Sequence, residues 1–334
     1  IYADESIYEY PMQQGGGIDG RPYSFGRPSS GGSKAAYPCK SYGQGRINPA
    51  YFYGIFDPID MRRDVSITMT GSNGKGVEKL IPFVPNSKAE GGGLTLNKWD
   101  ENRQANPWVA AQRKSGINGP YMRMSEVYLG YAEVCAALGD VVTGKQYLKT
   151  VRERSFPQGL ADTDGFIASV GNDLVRAIIE ERGFEYAGEG DRRWTLIRSG
   201  YLPEDIKRIK DMTKAMMDGL ATKGYYEFEN GNIISAYIWT KLVDAKTIYG
   251  HRLTAQCPMD KVNDPVLYPG WRGQKDNWEE MGLNYGNSAP ATNLAIKGLF
   301  VFVSDEEAAS LESQGYAKVN WGIDLVDYRD EYDM

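Results

Sequence analysis

The sequence holds a single histidine, His251, among 334 residues, so every mechanism that needs two imidazoles is excluded. Its three cysteines, Cys39, Cys135 and Cys257, stand far apart and never in C-x-x-C spacing, so no zinc cluster can be assembled from them. Their number is odd, which leaves at least one thiol unbridged and the redox compartment open. Long apolar runs are also missing. The longest candidate, residues 294–303, is interrupted by Lys297 and falls short of the roughly 18–20 residues that cross a bilayer. There is no excess of positive charge: 38 Lys and Arg face 44 Asp and Glu. The resulting formal net charge of -6 repels a phosphate backbone and argues against nucleic acid as a partner. The chain opens Ile1-Tyr2-Ala3-Asp4, with neither an initiator Met nor the charged-then-apolar pattern of a signal peptide, and more sequence is expected ahead of it.

What is abundant is glycine, at 39 residues, and aromatic side chains weighted towards tyrosine: 23 Tyr, 10 Phe and 7 Trp. That mixture calls for long, shaped loops on a chain large enough for about two domains. Residues 1–116 change character often, with Gly15-Gly16-Gly17, Gly31-Gly32 and Gly91-Gly92-Gly93 breaking up short segments rich in Tyr and Phe. Val65, Ser66, Ile67, Thr68 and Met69 alternate with period two, Asn73-Gly74 supplies a tight turn, and residues 77–83 are expected to return as the partner strand. The glycines from Gly71 to Gly76 do not have phosphate-loop spacing.

From Pro120 the period changes. Met124, Val127, Tyr128, Tyr131, Ala132, Cys135 and Leu138 fall at steps of three and four, predicting a helix opened by Pro120 and ended by Gly139. A second helix from about Thr143, with Tyr147, Leu148 and Val151 as its stripe, makes an antiparallel pair with the first. Residues 121–154 number 34, the length of a tetratricopeptide unit, with Ala132 and Ala136 as the small residues at the crossing. A further pair is expected from an Asn172 cap through Tyr186, returning over residues 191–198 to Gly200, and another helix over residues 203–220. Paired helices need stacking neighbours, so additional repeats are expected before residue 1.

Four blocks carry a family resemblance. Glu181, Arg182, Glu185, Glu189, Gly190, Arg192, Leu196 and Arg198 match the pattern E-R-x-x-E-[LF]-x-x-E-G-x-R-x-x-D-L-x-R, with Thr195 in the Asp position. Residues 121–133 resemble the "R-x-A-E-V-x-L-x-Y-A-E-A" helix, Val151-Arg152-Glu153-Arg154 the "V-R-x-R" that follows, and residues 57–64 the stretch ahead of the central strands. In these blocks the chain resembles the SusD/RagB family. Residues 299–304 replace the usual "L-[FY]-P-I-P", and Asn320-Trp321-Gly322 only loosely echo the closing "Q-N-P-G-[YW]". The resemblance implies a mainly α, SusD-like fold: tetratricopeptide-like helix pairs as scaffold, with long irregular loops and short β-hairpins. Residues 1–116 would be a loop-rich candidate ligand face, 117–200 the helical scaffold, and 201–334 a C-terminal helix plus loops, with N-terminal repeats and a lipidated Cys lying outside this chain. It further implies an outer-membrane, cell-surface lipoprotein that captures oligosaccharides or polysaccharides for a TonB-dependent, SusC-like barrel, without catalysis, cofactor or metal. Some relatives handle peptides instead.

A neutral glycan offers flat C–H faces and hydroxyls, so its capture needs exposed rings flanked by hydrogen-bonding groups. Tyr23, Tyr37, Tyr42 and Tyr53, with Arg46 and Asn48, make one candidate platform. Trp271, Arg272, Trp278 and Tyr285 make a second. The doublets Glu180-Glu181, Glu279-Glu280 and Glu306-Glu307 are read as solvated faces rather than a glycosidase pair, because neighbours on a helix diverge by about 100 degrees. Glu181, Glu185 and Glu189 recur every fourth residue and are expected to form an ionic scaffold with Arg182, Arg192 or Arg198. Asp162-Thr163-Asp164-Gly165 lacks the twelfth-position acid of a calcium loop, and His251 has no nucleophile elbow around it. A helical-repeat adaptor that binds only proteins is the competing class.

Overall fold

The computed structural model describes residues 5–13, 15–16, 20–30, 40–45, 47–72, 78–80, 94–99, 114–156, 159–242 and 294–320. In chain order the first elements are β1 (Ser6–Tyr10), α1 (Gly20–Phe25), β2 (Ser29–Ser30), β3 (Lys40–Ser41), α2 (Pro49–Gly54), α3 (Met61–Ser66), β4 (Ile67–Thr68), β5 (Thr70–Ser72), β6 (Glu78–Leu80), β7 (Thr95–Leu96) and β8 (Gly119–Arg123). A helical run follows: α4 (Met124–Ala137), α5 (Val141–Glu153), α6 (Thr163–Ser169), α7 (Leu174–Glu185), α8 (Asp191–Ser199) and α9 (Leu202–Lys223). The rest comprises β9 (Tyr225–Glu227), β10 (Ile233–Ser235), β11 (Tyr237–Leu242), β12 (Leu294–Lys297), α10 (Asp305–Ser313) and β13 (Ala317–Asn320). The fold is mainly α with short sheets, and no described helix is long and apolar enough to cross a membrane.

The chain forms two compact units, one of residues 1–12, 59–62 and 117–206, the other of residues 13–58, 63–116 and 207–334. In the first unit α4 and α5 are the antiparallel pair that the three-four spacing predicts. Their crossing is close because it is made of small residues: a Cβ on Gly144 would stand 3.0 Å from the Ala132 carbonyl oxygen. Leu129, Leu148, Val151, Leu174, Ala177 and Ile178 fill the space between α4, α5 and α7. Gly139 ends α4 at φ +87°, and the Asp140 carboxylate caps α5 by accepting from the Thr143 amide at 3.1 Å.

Two local expectations are corrected. Pro120 does not open α4; it sits in β8, paired with Glu9 of β1, and the helix starts at Met124. A proline suits a two-stranded ribbon, where the edge asks for no amide donor. The α7 cap is Asp173, whose carboxylate accepts from the Arg176 amide at 3.0 Å, while Asn172 takes the left-handed turn before it at φ +59°. The segment at Asp162 is also helical: Asp162 caps α6 by accepting from the Gly165 amide at 2.8 Å.

In the second unit, Val65 and Ser66 end α3 instead of beginning a strand. The extended chain starts at Ile67 and is shared between two sheets, since β4 pairs with β7 and β5 with β6. The expected hairpin is therefore β5–β6, with Thr70 opposite Leu80 and Ser72 opposite Glu78. Asp60 explains the helix: its Oδ1 accepts from the Arg62 amide at 2.9 Å and nucleates the first turn. The remaining sheets are the four-stranded β3-β2-β5-β6, the β10-β9 pair and β12-β11-β13. Phe52, Tyr53, Phe56, Phe228, Ile238 and Phe300 are buried at the heart of this unit, with the Arg63 guanidinium 3.6 Å from the Phe300 ring centre.

Candidate functional site

The four motif blocks meet in one buried ionic network inside the first unit. Glu181 and Glu185 lie one turn apart on α7, so both carboxylates leave the same face of that helix. Glu181 accepts from Arg62 at 2.6 Å and from Arg152 at 2.9 Å. Glu185 accepts from Arg62 at 3.1 Å, from Arg123 at 2.5 Å and from Arg154. Arg123 continues to Glu189 at 2.9 Å and to Glu5 at 3.1 Å, while Asp60 holds Arg62 at 2.7 Å. The network thus ties α3, β8, the end of α5 and α7 to a single carboxylate row.

Burial alone would push the Glu185 carboxyl upward, but the guanidiniums of Arg154, Arg123 and Arg62 outweigh it and hold the group well below the usual carboxylate range. Burial also works against the charge on Arg62, and there Asp60, Glu181 and Glu185 together hold the guanidinium above its ordinary value. A buried carboxylate held ionised by three guanidiniums has no proton to give, and it does not face solvent where a substrate could reach it. The arrangement suits clamping elements together rather than acid–base chemistry.

The ionic scaffold expected from the Glu spacing is therefore present, with different partners. Arg182 lies about 100 degrees round the helix from Glu181 and reaches Asp191 at 2.6 Å and Glu126 at 2.9 Å. Arg192 takes Glu180 at 3.1 Å and Asp205 at 3.0 Å, and Arg198 takes Glu133. Thr195, in the Asp position of the family pattern, donates to Asp191 at 2.9 Å and so keeps a link at that place. Glu180 and Glu181 are not a solvated face: they are 2 % and 0 % exposed, because Arg62 and Arg152 meet Glu181 while Arg192 and the same helix's Arg176 meet Glu180. Glu306 and Glu307 are exposed as expected, and Glu307 closes a capping box with Ser304 at the start of α10.

Of the candidate ligand residues, Tyr37, Arg46, Trp271, Arg272, Trp278 and Tyr285 lie outside the described residues, and Tyr23 falls within α1. Tyr42 is half-buried after β3. Asn48 is the α2 cap: its Oδ1 accepts from the Ala50 amide at 2.8 Å and its amide nitrogen donates to Thr213 Oγ1 at 2.9 Å. Both ends of that carboxamide are engaged in holding the fold. Tyr53 is a correction. It is fully buried, packs on Phe300 with ring centres 5.0 Å apart, and donates its hydroxyl to the Leu299 carbonyl at 2.7 Å. A ring closed on both faces offers no stacking surface, because α2 turns Tyr53 and Phe52 into the core together. Among the described residues of the first unit, Tyr8, Tyr10, Tyr121 and Tyr131 are exposed, and none of them belongs to either candidate platform. The alternation at Ile7-Tyr8-Glu9-Tyr10 is the sequence signal for the first two, while a helix opened at Pro120 hides Tyr121.

No curated protein matches the sequence. Among solved structures, the chain is similar to a SusD superfamily protein from Bacteroides vulgatus ATCC 8482, at 21 % identity and TM-score 0.29 over 46 % of this chain and 32 % of that one. It is also similar to surface glycan-binding protein A from Bacteroides thetaiotaomicron, solved with laminarihexaose, at 19 % identity and TM-score 0.41 over 59 % and 43 % of the two chains. A SusD superfamily protein from Bacteroides fragilis NCTC 9343 shows 20 % identity and TM-score 0.38 over 58 % and 40 %. The chain thus spans less than half the length of these proteins. The model of the SusD family matches residues 2–241, which include all four motif blocks of the buried network, and the chain belongs to that family.

Proposed function

We propose that this protein is a cell-surface glycan-binding accessory protein, anchored to the outer membrane by a lipid, that captures oligosaccharides or polysaccharides and hands them to a TonB-dependent, SusC-like barrel. The observation that carries this reading is the family match over residues 2–241. The buried network supports it from the chemical side. Glu180, Glu181 and Glu185 are bound by arginines, leaving this face of α7 to hold elements in place while exposed side chains elsewhere make ligand contacts.

The test is isothermal titration of the protein against neutral hexasaccharides of glucose, xylose, mannose and galactose, laminarihexaose included, with a peptide mixture in parallel. Saturable heat with at least one glycan and unchanged saccharide on chromatography after long incubation is the expected result. Heat with peptides alone would replace the ligand class, and product formation would replace binding by hydrolysis. Co-purification with a TonB-dependent barrel from outer membranes tests the delivery step. The adaptor reading draws on one feature, the exposed row Val127, Tyr131, Val134 and Leu138 along α4, and predicts protein partners with no heat in any glycan titration.

A further inference from the structure

We propose that Tyr8, Tyr10 and Tyr121 form a stacking shelf for a neutral glycan chain on the ribbon of β1 and β8, none of them a member of the two aromatic clusters at residues 23–53 and 271–285. The inference rests on the glycan-capture reading and assigns it a place. The three rings are 57 %, 60 % and 77 % exposed, on a part of the chain where their immediate neighbours in the ribbon are paired backbone. Tyr8 and Tyr121 meet edge to face with ring centres 5.6 Å apart, which steadies both without covering their outer surfaces.

The backbone builds this arrangement. Ser6 pairs with Arg123 and Tyr8 with Met122, so Ile7 is an extra residue in β1; Tyr8 then gives way to Glu9 opposite Pro120, so Tyr121 is an extra residue in β8. A bulge re-aims the residue it inserts. Here it turns Tyr121 outward beside Tyr8 while Arg123, two residues on, points into the buried network. Tyr10 stands opposite Gly119, which has no side chain to cover it, and lies about 6.8 Å along the strand from Tyr8 at the usual rise. Successive rings at that spacing can meet successive sugars.

Ring chemistry and area select the occupant. Glu5 is bound by Arg123 and Arg154, and Glu9 accepts from the neutral Asn118 carboxamide at 2.7 Å. A neutral chain of hydroxyls and C–H faces finds rings edged by phenol oxygens there. At about 150–250 Å² per aromatic side chain, the three rings present roughly 300–500 Å². That is well below the roughly 800 Å² per partner of a stable protein interface and ample for a few sugar rings.

The experiment is the same hexasaccharide titration on Tyr8→Ala, Tyr121→Ala and Tyr121→Phe, with Trp194→Ala on α8 as an exposed-ring control and a thermal melt on each variant. Tyr8→Ala and Tyr121→Ala are expected to weaken the best glycan about tenfold each, since each removes one ring face of apolar contact. Tyr121→Phe retains the ring and is expected to stay within about twofold of wild type, as is Trp194→Ala. Wild-type binding with both alanine variants unaffected would overturn the shelf while leaving glycan capture standing. An absence of glycan binding by the wild type would overturn both.

Discussion

Replacing Glu185 by Gln removes one charge from the centre of the buried network while keeping side-chain volume and one acceptor oxygen. Three guanidiniums lose a partner. Arg62 keeps Asp60 and Glu181, Arg123 keeps Glu189 and Glu5, and Arg154 keeps Glu5. Breaking one member of a buried ion pair generally costs about 3–5 kcal/mol, because the cations left behind remain desolvated. The surviving partners place this substitution near the lower end, at about 3 kcal/mol. That is a large part of a total stability of about 5–15 kcal/mol and should lower the melting temperature by on the order of 10 °C. Circular dichroism melts and urea titrations measure it. Glu133→Gln is the comparison, since its partner Arg198 is half-exposed and such a pair is worth about 1 kcal/mol at most. A double-mutant cycle with Arg154→Gln should return a coupling of about 1 kcal/mol or more. If Glu185→Gln costs no more than Glu133→Gln, or the cycle is additive, the network does not hold the first unit together.

The same carboxylate sets an acid limit. Its folded-state value is depressed, so its contribution is complete above the ordinary Glu value of about 4.3 and is lost as pH falls through the depressed one. Urea titrations at pH 7, 4 and 3 should show stability falling on the acid side, with the fall reduced in Glu185→Gln. Tyr53→Phe removes the buried hydroxyl that bonds to Leu299 and should cost about 1–2 kcal/mol in urea without altering glycan affinity. A change in affinity would restore Tyr53 as a ligand contact. Asp173→Ala strips the α7 cap and should cost about 1 kcal/mol, read as a shift of the urea midpoint. Gly54→Ala would put a Cβ 2.1 Å from Met212 Cε and 2.6 Å from Phe228 Cδ1, and should destabilise by about 1–3 kcal/mol.

Much of the first unit was legible along the chain because it is governed by neighbours. The three-four spacing announced α4, but of its stripe Ala132 and Cys135 are buried while Val127, Tyr131 and Leu138 are exposed, and the buried Leu129 lies outside it; Gly139 and Gly200 marked helix ends by taking positive φ. The motif blocks identified the family, and the every-fourth-residue carboxylates announced an ionic scaffold before any partner was known. Local rules misplaced Pro120 because a proline at a helix start and a proline in an edge strand look alike until β1 is seen beside β8.

The partners themselves belonged to the tertiary structure. Arg62 and Glu181 are 119 residues apart, and Arg123 and Glu185 are 62 apart, so no periodicity could pair them or reveal that Glu180 and Glu181 are buried. Whether a tyrosine is an anchor or a surface was decided in the same way. Tyr53 and Tyr121 are the same side chain, but α2 packs one into a closed core and a bulge in β8 turns the other towards solvent. Spacing along the chain sets which face of an element is apolar, and only the packing of distant elements determines what covers it.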